Sequence, residues 1–392
     1  MTAPEPDAFT AFSSPRRSMV ASGTAQVIEL PAPWVDHAAH AHERLARIEG
    51  SEHVVAFAAL PFDRGEPARL VVPERTWIVD SDGERVRVEV GGSPLRATAT
   101  PDRSPATSGG RVSGARSEMP REIDVRAAVP PEQWCGDVRE ARDAIRRGEL
   151  TKVVLARAID VSADVPLDDE DLFTRLRSSH PGAFCFAVDR FVGASPELLV
   201  SRRASTVRAR PMAGTTTRTG HPEVDQRAAG ELLASDKNRR EHQVTIDAVH
   251  DALLGWCSYL DAEPAPSVVQ AGPVQHLATM VEGHLGQPEP SVLELVAALH
   301  PTPAVGGHPT AVALQMRERL EQAGRGRYAG PVGWLDASGN GTFAVGIRAI
   351  QLDDRGGRLF AGVGVVADSD PEAELEETRS KAQAVLSAVV RI

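Results

Sequence analysis

Between Gln26 and Val90 short apolar runs alternate with turn residues. The runs are AQVIEL, HVVAFAAL, ARLVVP, RTWIV and RVRVEV, broken by stretches such as DRGEP and SDGE. This pattern predicts strands joined by hairpins. Residues 1–20 read as a loose lead-in. Residues 97–120 are rich in Ser, Thr, Pro and Gly with almost nothing apolar, and predict an exposed connector.

After Pro130 the pattern sharpens. Trp134, Val138, Ala141 and Ile145 form a helical stripe, and KVVLARAIDV follows as a strand. A short helix over 169–180 stops at Pro181. Four strand-like runs come next: AFCFAVD, FVGAS, ELLVSRR and TVRARPMAG. Residues 222–261 predict helix in two pieces, and 267–285 predict strands. Helices are expected near 290–299 and 308–323. AGPVGWLD, GTFAVGIRAIQL and RLFAGVGVVAD read as three closing strands before a last helix, 371–390. Runs of strands alternate with clustered helices, which predicts an α+β fold with a large, mostly antiparallel sheet system.

Charge narrows the function. The 392 residues carry a formal net charge of -11. That argues against nucleic acid as a partner, because phosphate backbones are held by clustered Lys and Arg. No apolar run reaches the ~18 residues of a membrane span, and the polar N-terminus has no signal-peptide core. Three widely spaced cysteines, Cys135, Cys185 and Cys257, fit neither a disulfide framework nor a zinc spacing. A reduced, cytoplasmic protein is expected.

Candidate chemistry begins with lysine. Among 43 Lys and Arg the chain holds only three lysines, Lys152, Lys237 and Lys381. Lys152 opens an apolar strand. Its ordinary reading is an edge-strand lysine facing water, but VVLA beside it favours burial. A buried amine loses its charge easily and becomes a general base, work that Arg cannot do. Lys381 lies four residues after Glu377, which suits a helical ion pair. Lys237 reads as a solvated helix lysine without a role.

Glu374 and Glu377 share a face of the last helix, and Glu241 lies on a helix far away in sequence. Brought together, Glu241 and Glu377 would make a hard-oxygen site suited to Mg²⁺. Glu197 follows a bend at the start of a buried strand, where desolvation would raise its pKa. Its plainer reading is a turn glutamate facing water. Gly214, Gly362 and Gly364 sit at strand ends, where main-chain N–H groups can approach a ligand. Arg348 alternates with apolar residues and so needs an anionic partner. The motifs of serine hydrolases and zinc proteases are absent.

These pieces occur together in KVVLARAI, FVGASPELLV, RPMAGTTTRTG, LLASDKNRREHQVTIDAV, LHPTPAVGGHP, GRYAGPVGW, FAVGIRAI and AGVGVVADSDPEAELEETRSKAQ. In that order they resemble the chorismate-utilising enzymes over roughly residues 130–390. The resemblance implies a single domain, 1–392: a large antiparallel β-sheet sandwich flanked by helices, with residues 1–120 its less typical part. It implies that Glu241 and Glu377 hold Mg²⁺ and that Glu374 acts through water. Gly214 and Thr215 resemble the turn that meets the ring carboxylate of chorismate, with Lys381 beside the metal. Tyr328 and Arg348 resemble the pair that grips the enolpyruvyl carboxylate, with Gly362 also at the substrate. His300 resembles the histidine near the reacting edge of the ring. Lys152 matches the general base and Glu197 the general acid, both with displaced pKa values.

Within the family, Lys152 resembles the water-using members. Ala213 stands where aminodeoxychorismate synthases carry a reactive lysine. HPTPAV resembles the isochorismate synthases. The implied reaction is isomerisation of chorismate to isochorismate by a monomer that needs no glutaminase partner. The alternatives are a salicylate synthase, which goes on to eliminate pyruvate, and a non-catalytic chorismate-binding homologue. Asn238 departs from the pattern, standing where relatives often have an acid. His308 has no assigned role.

Overall fold

The computed structural model describes residues 9–48, 54–83, 85–90 and 120–390. Its helices are α1 (Ala38–Ala46), α2 (Pro131–Arg146), α3 (Asp169–Ser179), α4 (Pro222–Ala234), α5 (Asp236–Leu254), α6 (Val292–Leu299), α7 (Thr310–Leu320) and α8 (Pro371–Val390). They flank two large antiparallel sheets. No helix of the described residues is long and apolar enough to cross a membrane. Cys135, Cys185 and Cys257 are free thiols.

The first sheet begins at the short strand Gly307–His308. It continues through Lys152–Ala163, Gly356–Val365, Ala349–Asp353, Phe191–Ser195 and Phe184–Val188. It then takes in Phe9–Ser13, Arg17–Ser22, Arg75–Asp80 and Arg85–Glu89, while Ile123–Ala127 also pairs with Lys152–Ala163. The second sheet runs Cys257–Ala262, Val281–Leu285, Thr206–Arg210, Leu198–Arg203, Gly341–Val345, Pro331–Asp336, Val55–Ala59, Ala68–Val72, Gln26–Leu30. A small third sheet joins Met212–Thr217, Val274–Ala278 and Ser267–Ala271.

Strand period sorts the cores. In Phe184–Val188 the residues Phe184, Phe186 and Val188 point between the large sheets, where they meet Phe12, Phe57 and Trp334. Cys185 and Ala187 point the other way, into a core closed by Leu172 and Leu176 of α3 and Val385 and Val389 of α8. Such a strand is buried on both faces, which is why FCFAV is apolar throughout. The far face of the second sheet is covered by Leu45 of α1, Val249 of α5 and Val296 of α6. Helix starts follow local chemistry. Ser235 caps α5 by accepting from Asn238 N–H, Ser291 and Glu294 form a capping box on α6, and prolines open α2 and α4.

Two corners carry the chain between the large sheets. Phe191–Ser195 leaves the first sheet, turns at Pro196–Glu197 and enters the second as Leu198–Arg203. Gly341–Val345 leaves the second, turns at 346–348 and enters the first as Ala349–Asp353. The corners bond to each other: Ala194 N–H donates to the Arg348 carbonyl at 3.0 Å and Val345 N–H to the Glu197 carbonyl at 3.1 Å. Arg348 itself adopts φ +54°, a left-handed backbone unusual outside glycine.

Several expectations change. The lead-in read at 1–20 holds two buried strands from Phe9 onward, because the fragment FTAFS is apolar enough to fill a sheet although polar residues precede it. The helix expected to run to 261 stops at Leu254. Cys257–Ala262 is instead an edge strand paired with Val281–Leu285. The single strand read over 341–352 is two strands in different sheets. Helix α1 and strand Ile123–Ala127 had no clear signal. The connector at 97–120 lies, but for its last residue, outside the described residues.

Candidate active site

Strands and helices from opposite ends of the sequence enclose a cavity of about 210 Å³ beside the two corners. Lys152, Glu197, Gly214, Thr215, Glu241, Tyr328, Arg348, Gly362, Glu374, Glu377 and Lys381 all line it. His300 does not.

Lys152 opens the long strand of the first sheet. Its side chain is buried, and Nζ donates to Glu241 Oε1 at 2.7 Å. The neighbouring strand leaves room only by being glycine here. A Cβ at Gly364 would stand 2.7 Å from Lys152 Cε, and one at Gly362 would stand 2.9 Å from the Tyr328 hydroxyl. Tyr328 stacks on Phe360 with ring centres 5.2 Å apart.

Glu197 occupies the first corner and is 4% exposed. Burial pushes its carboxyl up to about 7, against the opposing pull of Met212 N–H and the charges of Lys152, Arg210 and Arg348. Arg348 occupies the second corner. It is 7% exposed, and its Nε and Nη2 have no hydrogen-bond partner among the described residues.

The carboxylates come from two helices. Burial acts to raise Glu241 on α5, but the charge and hydrogen bond of Lys152, with Lys381 and Lys237, outweigh it and hold the carboxyl below its ordinary value. On α8, Lys381 Nζ lies 2.5 Å from Glu377 Oε1 and donates to the Gly362 carbonyl at 2.9 Å. Burial, then repulsion from Glu377, push Glu374 up to about 7. Among the described residues no three His, Cys, Asp or Glu side chains converge as a ready metal cluster, because Glu241 and Glu377 each turn onto a lysine. The donor set nonetheless fits a hard cation. Three carboxyl groups face one polar cavity, and burial with the charge of Glu377 raises the third.

His300 is the residue that the structure moves elsewhere. It ends α6 with its ring packed edge-on against Phe62, and Nε2–H donates to the Phe62 carbonyl at 2.8 Å. Burial lowers its pKa to about 4, so it is a neutral core histidine. Its loop still reaches the cavity through Ala304 and Val305. The histidine that does line the cavity is His276, missed because VQHLA reads only as a strand. Its Nδ1 lies 3.2 Å from both the Gly214 carbonyl and Thr215 Oγ1. Burial, then Arg348 and Lys381, hold its pKa well below the usual range. Lys237 and Asn238 also line the cavity, so all three lysines of the chain meet in one place. Chemically, the cavity offers a buried acid half-protonated near neutrality, an amine on another wall, and a guanidinium awaiting an anion.

Comparison with known proteins identifies the family. Residues 100–390 match a family described as chorismate binding enzyme. The chain is 33% identical to isochorismate synthase DhbC of Bacillus subtilis, over 98% of this chain and 94% of that protein. It is 32% identical to isochorismate synthase EntC of Escherichia coli, over 96% and 93% respectively. The crystal structure of DhbC from Bacillus anthracis superposes with a TM-score of 0.84 at 31% identity, covering 99% of this chain and 97% of that one.

Proposed function

The chain belongs to the chorismate-binding enzyme family, and we propose that it is an isochorismate synthase. The observation that carries the reaction is the pairing in one cavity of Lys152 with a Glu197 whose carboxyl is pushed up to about 7. Lys152 takes a proton from a water that bonds to ring carbon two of chorismate. The ring double bonds shift, and the bond from ring carbon four to its hydroxyl breaks. Glu197 delivers its proton to that hydroxyl, which leaves as water. One water enters and one departs, so the reaction is an isomerisation.

Arg348 and Tyr328 hold the enolpyruvyl carboxylate, which supplies the anion that the buried guanidinium lacks. Gly214 and Thr215 face the ring carboxylate, and His276 braces that turn as a neutral imidazole. Glu241 and Glu377, with Glu374 through water, would hold Mg²⁺, which orients the substrate and offsets its negative charge. Lys152 must first give up the proton that it shares with Glu241. Lys381 keeps Glu377 and the Gly362 carbonyl in register. The free cysteines suit a reduced compartment, and we place the enzyme in the cytoplasm, working without a glutaminase partner.

The test is a product assay. Purified protein is incubated with chorismate and Mg²⁺ and the products are separated by HPLC, with Lys152→Ala and a chelator as controls. Isochorismate, lost in both controls, is expected. Salicylate with pyruvate would assign the chain to the lyase branch. Saturable chorismate binding without any product would make it a non-catalytic homologue.

A further inference from the structure

A second cavity of about 200 Å³ lies behind Arg348. The hairpin Val269–Gly272, the turn at His180–Ala183 and Ala384 of α8 bound it, and it shares Pro196 and Arg348 with the catalytic cavity. Its charged lining residues are Arg218 and Arg348, and no Asp or Glu lines it. The catalytic cavity is different, since four glutamates there face its four cations. Arg218 is partly answered: Nε lies 3.4 Å from Asp225 Oδ2 and Nη1 donates to the Gly272 carbonyl at 3.0 Å. Arg348 is not, for its Nε and Nη2 are buried without a partner among the described residues. Buried guanidinium N–H groups without an acceptor are unfavourable. It carries five N–H donors, more than one carboxylate uses, and this one borders two cavities.

We infer that the second cavity binds a small monocarboxylate against Arg348 and Arg218, and that this anion opposes substrate because two carboxylates on one guanidinium repel each other and share its single charge. The catalytic consequence rests on the reaction proposed above; the binding site does not.

The experiment titrates the full chain calorimetrically with sodium pyruvate, using sodium chloride at equal ionic strength as the blank. Ala384→Met and Ala271→Leu each fill the second cavity from positions outside the catalytic one. Wild type should show one saturable site. Either filled variant, shown folded by its thermal transition, should bind pyruvate about tenfold or more weakly, while chorismate turnover without pyruvate stays within about twofold. Pyruvate should raise the KM for chorismate in wild type and not in the filled variants. Pyruvate binding that persists in a folded filled variant would assign the anion to the catalytic cavity and overturn the inference. Absence of saturable binding to wild type would overturn it equally. Failure of wild type to turn over chorismate would count against the proposed reaction alone, since the calorimetric comparison stands without it.

Discussion

Burial at Glu197 sets both a rate and a stability. With the folded pKa at about 7, the carboxyl is protonated below neutrality and can act as an acid, so kcat/KM should fall as pH rises through about 7. The stability sign follows from linkage. Below the unfolded pKa near 4.5 both states are protonated and nothing is lost. As pH rises to 7 the unfolded state ionises first, and stability declines until the folded carboxyl ionises too. Glu197→Gln should therefore remove a decline of about 3 kcal/mol, making the variant relatively more stable at pH 8 than at pH 5 in urea titrations. Its turnover should drop by about 10²–10⁴-fold. Lys152→Arg keeps a cation opposite Glu241 but cannot release a proton. Turnover should fall at least about 10²-fold with an unchanged thermal transition. Lys152 was legible because lysine is so scarce in this chain; Lys237 was equally scarce, yet its polar helix neighbours pointed to solvent.

Helices and loops reach the cavity through one buried clasp. Glu321, just past α7, accepts Ala156 N–H at 2.8 Å and pairs with Arg325. Arg325 donates to the carbonyls of Val305 and Val154, each at 2.8 Å. The loop after His300 is thereby tied to the Lys152 strand, and both Val154 and Val305 line the cavity. Arg325→Met leaves the buried Glu321 with only Arg317 at 3.7 Å and the Ala156 N–H, and frees the Val154 and Val305 carbonyls, which should destabilise by about 3 kcal/mol in urea. Neither residue stood out in the sequence, because an i,i+4 Glu–Arg pair is also the commonest surface ornament of a helix end. Helices α5 and α8 supply the carboxylates. If they hold Mg²⁺ as proposed, millimolar Mg²⁺ should raise the wild-type Tm, and Glu377→Gln should abolish that rise.

Both large sheets are completed by the first ninety residues. Phe184–Val188 pairs with Phe9–Ser13, and Pro331–Asp336 pairs with Val55–Ala59. A fragment starting at residue 120 would open one edge in each sheet and expose Phe186 and Trp334 from the core between them. Such edges associate readily. The fragment should aggregate or melt without a cooperative transition in circular dichroism, whereas the full chain should melt cooperatively. The lead-in and the hairpins after Gln26 are thus part of the catalytic scaffold.

The sequence by itself determined what local chemistry can encode. Apolar runs between turn residues marked most strands, the stripe Trp134, Val138, Ala141 and Ile145 marked a helix, and the order of motifs marked the family and eleven of the cavity residues. Tertiary structure decided what depends on contacts far apart in the chain. Lys152 and Glu241 meet across 89 positions. Glu197 and Arg348 face the cavity because two strands change sheets there, a step that a continuous apolar run such as FAVGIRAI does not announce. His300 and His276 exchange places for the same reason. Each is a histidine in an apolar run, and only the packing of Phe62 over one ring and the turn at Gly214 beside the other separates a core residue from a cavity residue.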